Sequence, residues 1–321
     1  MKQNFINNVE IRGYVFSHSL QERVTGVTAK QPNTTFIMGD VNIATDNQGM
    51  NIVPVHFTYV TETFAKSGKK NATFDNLRQI IKNAKTFETD GTNAAKVRIT
   101  GQIELNDFYT RQGELASPKR VRGSFLHFLN AGETIVDDVN NTFFDVDFLA
   151  LATIEHEYED NPQQNYLELK GFAFDYRGAV LPMSFSVSNK PGQTFFQKED
   201  ISQTNPYFGT IHGNIKSTTI EITPDVDESQ MGFGQVVVRP TTRTFRSWEV
   251  VAANINEGAS EDTITPDELS QGLVNREIYL AEIKKRQEEY QKSQAGNAGF
   301  PSGSQGNQGA QTLGQMGGFK F

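Results

Sequence analysis

The sequence predicts an all-β protein with a minor helical part: two small barrels in tandem, a C-terminal helix and a disordered Gly/Gln-rich tail. Three observations predict it. Segments with a two-residue hydrophobic period recur along the first 130 residues, interrupted by one stretch of helical period. Strand-like segments resume near residue 143 and continue to about residue 253 without a clear helix. Beyond Ser293 the chain is mostly Gly, Gln, Ser, Asn and Ala, a composition that cannot bury enough surface to order itself.

In the first unit, Val9–Phe16 (VEIRGYVF) reads as a strand, with Gly13 where a barrel strand bends. Thr34–Ala44 and Asn51–Val60 form a pair across the turn Asp46-Asn47-Gln48-Gly49, and Pro54 marks an edge or a bulge. Thr61–Lys70 is polar and reads as a loop. The helix Thr73–Ala84 has Thr73 as its expected N-cap and Phe74, Leu77, Ile80 and Ile81 as its apolar stripe. Lys96–Leu129 then reads as a hairpin. Val97, Ile99, Ile103 and Leu105 share one face with Gly101, the pair Phe108-Tyr109 follows, Gln112-Gly113 turns, and Lys119-Arg120-Val121-Arg122 leads into the return strand. Five strands with a helix between the third and fourth is the order of an OB-fold barrel.

The second unit is predicted from a restart. Leu167–Phe174 (LELKGFAF) matches Val9–Phe16 in residue class at every position. Val180–Val187, Gly209–Ile222 and a closing hairpin over Gln235–Ala253 follow, while Phe143–Glu157 reads as a strand joining the units. The expected organisation is a barrel over residues 1–131, a second over 142–256, a helix over 265–293 and a tail over 294–321.

Composition limits the function. The chain has 321 residues and a net charge of −8, divided unevenly. Residues 1–130 hold 16 Lys+Arg and 11 Asp+Glu, residues 131–256 hold 8 and 18, and residues 257–321 hold 6 and 9. The cationic excess thus lies in the first unit, and phosphate binding needs a local patch rather than a global charge. No run approaches the roughly 18 apolar residues of a membrane span. The opening MKQNFINNVEIRG lacks the apolar core of a signal peptide, and the absence of cysteine fits a reducing cytoplasm. His18, His56, His127, His156 and His212 show no metal-ligand spacing, Ser17-His18-Ser19 has no nucleophile-elbow context, and no P-loop is present. Asp225–Glu228 lacks the calcium-loop pattern. The expectation is a protein without metal, cofactor or enzymatic activity.

Binding a single strand needs ring faces for bases and cations for phosphates. The first unit offers Arg12, Tyr14, Lys66, Lys69, Lys70, Arg98, Phe108, Tyr109, Arg111, Lys119, Arg120 and Arg122; the second offers Arg243, Phe245, Arg246 and Trp248. The bland alternative makes the rings core and the cations ordinary surface, and it holds best for Phe16, Phe57 and Phe125. For Phe108-Tyr109 an extended backbone turns one ring away from the core.

Residues 5–130 resemble the bacterial and phage single-stranded DNA-binding proteins of the OB-fold class. The likeness lies in the early strand with Gly13, the strands Phe36–Ala44 and Ile52–Val60, the helix, the run Val97-Arg98-Ile99-Thr100-Gly101-Gln102-Ile103 with an aromatic following at Phe108, and a Gly/Gln-rich tail ending in Phe. The resemblance implies coating and protection of single-stranded DNA in replication, recombination or repair, with replication proteins docking on Phe319, Lys320 and Phe321. The family's tail ends in acids before its last apolar residues, whereas this one reads GGFKF. A homodimer would present the four barrels of the family's usual tetramer. The rival expectation is a phage structural or assembly protein with a partner-binding tail, which predicts no contiguous cationic–aromatic surface.

Overall fold

The computed structural model describes residues 5–110, 112–130, 132–133, 135, 141–158, 165–175, 178–222, 241–255 and 264–297; the side chains of 218–222, 241–245, 255 and 293–297 lie outside that description. The elements in chain order begin with β1 (Asn7–His18), β2 (Gln21–Val24), β3 (Thr35–Ala44) and β4 (Ile52–Thr61). Helices α1 (Ala72–Asn83) and α2 (Phe87–Asp90) follow, then β5 (Lys96–Leu105), β6 (Phe108–Tyr109), β7 (Leu115–Ala116) and β8 (Lys119–Phe128). The second half contains β9 (Thr142–His156), β10 (Tyr166–Phe174), β11 (Val180–Val187), α3 (Lys190–Lys198), β12 (Tyr207–Ile222), β13 (Thr241–Ile255) and α4 (Pro266–Asn297).

The first ring closes as β1–β3–β4–β8–β5–β1, with β4–β8 the one parallel contact. The chain is all-β in class, and this ring with α1 between its third and fourth strands is an OB barrel. Alternation builds it: on β1, Val9, Ile11 and Val15 point into the core while Asn8, Glu10 and Arg12 face outward. Pro54 sits opposite Asn42, just before β4 begins to pair with β8 at Val55 and His56, so its missing N–H falls where the strand is locally an edge. Helix α1 buries Phe74, Leu77 and Ile80. Its N-cap is Asn71, whose side chain accepts from the Thr73 N–H; Thr73 itself lies inside the first turn, buried. The amide accepts that bond in place of the expected Thr73 hydroxyl.

The second ring closes in the same order, β9–β10–β11–β13–β12–β9, again with one parallel contact, β11–β13. Helix α3 stands between its third and fourth strands, against the expectation of no clear helix in this half. It is short, with Asn189 accepting from Gly192 N and Pro191 in its first turn, and it buries Phe196. Two further expectations change. β9 is the first strand of the second ring rather than a mere joining strand. β10 is a second strand, so the match between Leu167–Phe174 and Val9–Phe16 aligns strands that are not equivalent.

The equivalent stretches lie elsewhere. Ile99-Thr100-Gly101-Gln102-Ile103 on β5 corresponds to Ile211-His212-Gly213-Asn214-Ile215 on β12. Both glycines sit at a bulge in the last antiparallel pairing of their ring. A Cβ there would lie 2.1 Å from Arg122 O in one barrel and 2.2 Å from Glu249 O in the other, so only glycine lets these backbones approach.

The barrels join edge to edge through β1 and β9. Val9 pairs with Gly101 and Phe144 with Gly213, which makes Val9 and Phe144 equivalent, and across the joint Val9 lies opposite Phe144. Asn7 lies opposite Val146 and Ile11 opposite Thr142, so a pseudo-twofold axis passes through the pair. Side chains obey it: Ile103 N donates to Asn7 Oδ1 at 2.8 Å, and Ile215 N donates to Thr142 Oγ1 at 3.1 Å. One hydrophobic cluster runs through both barrels. Among the described residues no helix is long and apolar enough to cross a membrane.

Candidate nucleic-acid interface

On the outer face of the first barrel the rings of Phe36 (β3) and Tyr59 (β4) lie 4.6 Å apart, tilted by 39°, both partly exposed. Phe36 pairs with Arg23 of β2 on one side and Thr61 on the other, so Arg23 and Phe36 share that face. The loop between β4 and α1 starts at this end of the sheet. It is closed by Phe64 N donating to Lys69 O at 2.9 Å, and it exposes Phe64, Lys66, Lys69 and Lys70. Among the described residues Arg23 and these three lysines have no carboxylate partner; Arg23 donates to Gln21 Oε1. Further along the face, Asp40, His56 and Arg122 stand in one row across β3, β4 and β8. His56 Nδ1 lies 2.8 Å from Asp40 Oδ1, and that hydrogen bond holds the Asp40 carboxyl below its ordinary value. Phe125 of β8 is 48 % exposed, against the expectation that it is core.

The cations predicted on the strands are mostly neutralised by carboxylates, Arg12 by one on its own strand and Arg98, Arg120 and Arg122 by ones across a strand pair. Arg12 and Arg98 both bind Glu10, at 2.7 and 2.5 Å. Burial pushes Glu10 up, but the bonds from Arg98 and Arg12 outweigh it and the carboxyl ends below its ordinary value. Arg120 binds Glu104 at 2.6 Å and Arg122 stands 3.9 Å from the same carboxylate.

Other predicted site residues are elsewhere. Tyr14 is 4 % exposed, packed under α2 with its hydroxyl donating to Asn47 Oδ1 and its ring 5.5 Å from Phe87, so it offers no face to a base. Lys119 is half-buried between the barrels: its Nζ donates to Ser184 O, lies 4.8 Å from the Phe185 ring and 5.7 Å from Trp248, and the desolvation of its ammonium group pushes it down to about 8. Trp248 is 5 % exposed, 5.7 Å from Phe144, and is core. Phe108 is 43 % exposed at the tip of β6, but Tyr109 lies against α4. Arg246 is exposed. Arg111, the side chains of Arg243 and Phe245, and Phe319, Lys320 and Phe321 lie outside the described residues.

The structure thus brings Lys66, Lys69 and Lys70 together with Tyr59, an aromatic the sequence also offers, and with two rings that the sequence does not single out, Phe36 and Phe64. A signal existed in Phe36, which alternates with the core residue Ile37 at the start of β3 and so must point outward. The described residues hold no group of three or more His, Asp or Glu placed to bind a metal.

The class defined by fold and face is a tandem OB-barrel protein with an aromatic–cationic outer surface. A family model described as YorF matches residues 6–288, and the chain belongs to the YorF family. No curated protein matches it. Among solved structures it is similar to a deletion mutant of the single-stranded DNA binding protein from Thermus aquaticus, at 10 % identity and a TM-score of 0.45, over 82 % of this chain and 98 % of that one.

Proposed function

We propose that the chain binds single-stranded DNA without catalysing a reaction, and coats and protects it during replication, recombination or repair. The observation that carries this is the exposed Phe36–Tyr59 pair beside Arg23 and the Lys66–Lys70 loop. Bases stack on the two rings, with Phe64 and Phe125 as further faces, and each stacked base contributes about 1–3 kcal/mol whatever its identity. The lysines and Arg23 take the phosphates, since no carboxylate among the described residues competes for them. The rival, a virion component, predicts no such surface, and the ring pair beside the lysines counts against it. In this reading the tail tip Phe319–Phe321 tethers partner proteins near the DNA by effective concentration, and a homodimer presents four barrels.

Fluorescence titration with a poly-dT oligonucleotide at several salt concentrations tests the proposal. The expected result is affinity that falls with salt, with a slope of about −0.7 per phosphate contacted. Absence of salt-sensitive binding at micromolar protein sinks it.

A further inference from the structure

Helix α4 is held in three different ways along its length. Its first turns are apolar: Leu269 and Leu273, with Ile264 before them, pack on Leu149, Phe174 and Val180 of the second barrel. Gly272 fits against Val180 so closely that a Cβ would lie 2.3 Å from Val180 Cγ2. In the middle, Arg276 reaches the first barrel and binds both oxygens of Asp107, at 2.7 and 3.3 Å, with both side chains buried. Beyond that point the contacts become sparse and polar. Lys284 Nζ lies 5.9 Å from the centroid of the Tyr109 ring, and Gln287 Nε2 donates to Tyr109 O at 3.0 Å. Lys284, Lys285, Arg286, Glu288 and Glu289 are exposed.

The hairpin under this polar half, β6–β7, connects the fourth and fifth strands of the first barrel. An ammonium group occupies the Tyr109 ring face that a base would need. A cation over a half-exposed ring and a single hydrogen bond are both weak beside water, whereas the apolar packing and the largely desolvated Arg276–Asp107 pair are not.

We propose that the half of α4 beyond Arg276 is a displaceable cover over the 106–117 hairpin, pivoting at Arg276–Asp107, and that it competes with a single strand for Tyr109. This rests on the single-strand reading above. Closed, the cover confines the strand to the Phe36–Tyr59 face; open, it adds the hairpin with Phe108 and Tyr109. The apparent affinity is then reduced by the fraction of molecules in which the cover is shut.

The test compares the full chain with its Lys284→Ala/Gln287→Ala variant, which alters two partly or fully exposed polar residues and leaves the pivot intact. Poly-dT affinity and amide hydrogen exchange over residues 281–292 are both measured. Competition predicts that the variant binds about three- to tenfold tighter, although it has lost a cation. It also predicts that oligonucleotide accelerates exchange across 281–292 in the parent chain. Unchanged or weaker binding by the variant, or exchange that slows or stays constant when the parent is bound, overturns the cover alone. Absence of binding by the parent overturns the single-strand reading and the cover with it.

Discussion

The two barrels share one topology and carry opposite charge at the same place. In the first, Glu104 of β5 meets Arg122 of β8 diagonally at 3.9 Å; in the second, the equivalent positions are Lys216 of β12 and Glu249 of β13. That ion pair is retained with its polarity reversed, whereas Arg120, which lies opposite Glu104 and binds it at 2.6 Å, has the uncharged Ser247 as its equivalent. What changes is the sign presented by the fifth strand. The first barrel shows Arg120 and Arg122 there, and the second shows Glu249, buried and bound by Lys216 and Ser188. Core positions diverge as well: Val121 in one barrel is Trp248 in the other, and Val9 is Phe144. At these two positions the larger rings belong to the second barrel, while the first, which also buries Phe57 and Phe74, carries the Phe36–Tyr59 pair outside. The difference teaches that one scaffold carries a cationic outer edge in one half and a ring-filled core in the other without altering the ladder of hydrogen bonds.

Four substitutions or titrations sharpen or break this division. Trp248→Ala removes the largest core side chain of the second barrel and is expected to cost about 3–5 kcal/mol of stability in denaturant unfolding. Its poly-dT affinity at low temperature should remain that of the parent; a large loss of affinity in folded variant would place Trp248 in the interface and break the comparison. Phe36→Ala leaves the fold intact and is expected to weaken poly-dT binding by about 1–3 kcal/mol, read by titration. If the affinity holds, the grip lies off the β3–β4 face. Changing Lys66, Lys69 and Lys70 together to Gln is expected to flatten the salt dependence by about 2 units of slope. An unaltered slope removes that loop from the phosphate path.

The smallest effect is on acid stability. Glu10 and Asp40 of the first barrel and Glu168 of the second are all held below their ordinary values in the folded chain. Folding therefore favours their ionised forms. The stabilisation is complete above the unfolded carboxyl values of about 4 and disappears as pH falls through the lower folded values. Asp40→Asn should make the melting temperature less sensitive to pH below about 4. An equal dependence in the variant would show that the Asp40–His56 contact carries none of it.

Much of the first barrel was legible because its signals are local. The two-residue period of Lys96–Leu105, the stripe Phe74–Leu77–Ile80 and the position of the helix among the strands are each visible within about ten residues, and they place the ring order. Cross-strand partners are not visible that way. Glu10 neutralises Arg98 from 88 positions away, and Lys119 meets Ser184 across the joint between barrels. A basic tetrapeptide in a strand looks the same in sequence whether its first lysine is solvated or buried. The true repeat was overlooked for a related reason. Ile99–Ile103 and Ile211–Ile215 share only five positions, and their equivalence becomes evident once each glycine is seen to close its own ring. Helix α3 has nine residues, among them Pro and Gly, and its main cue is the Asn189 cap.

The pseudo-twofold joint between β1 and β9 has a consequence for how the molecule can change. In a symmetric dimer every substitution is made twice, so a seam residue must suit both sides of the axis at once. Here Asn7 and Thr142 perform the same bond with different side chains, and Asn7 alone also donates to Phe174 O at 3.1 Å. Because one chain supplies both sides, this seam does not come apart on dilution. Each half is free to mutate without its twin, and that freedom is what permits an arginine and a glutamate at one and the same address.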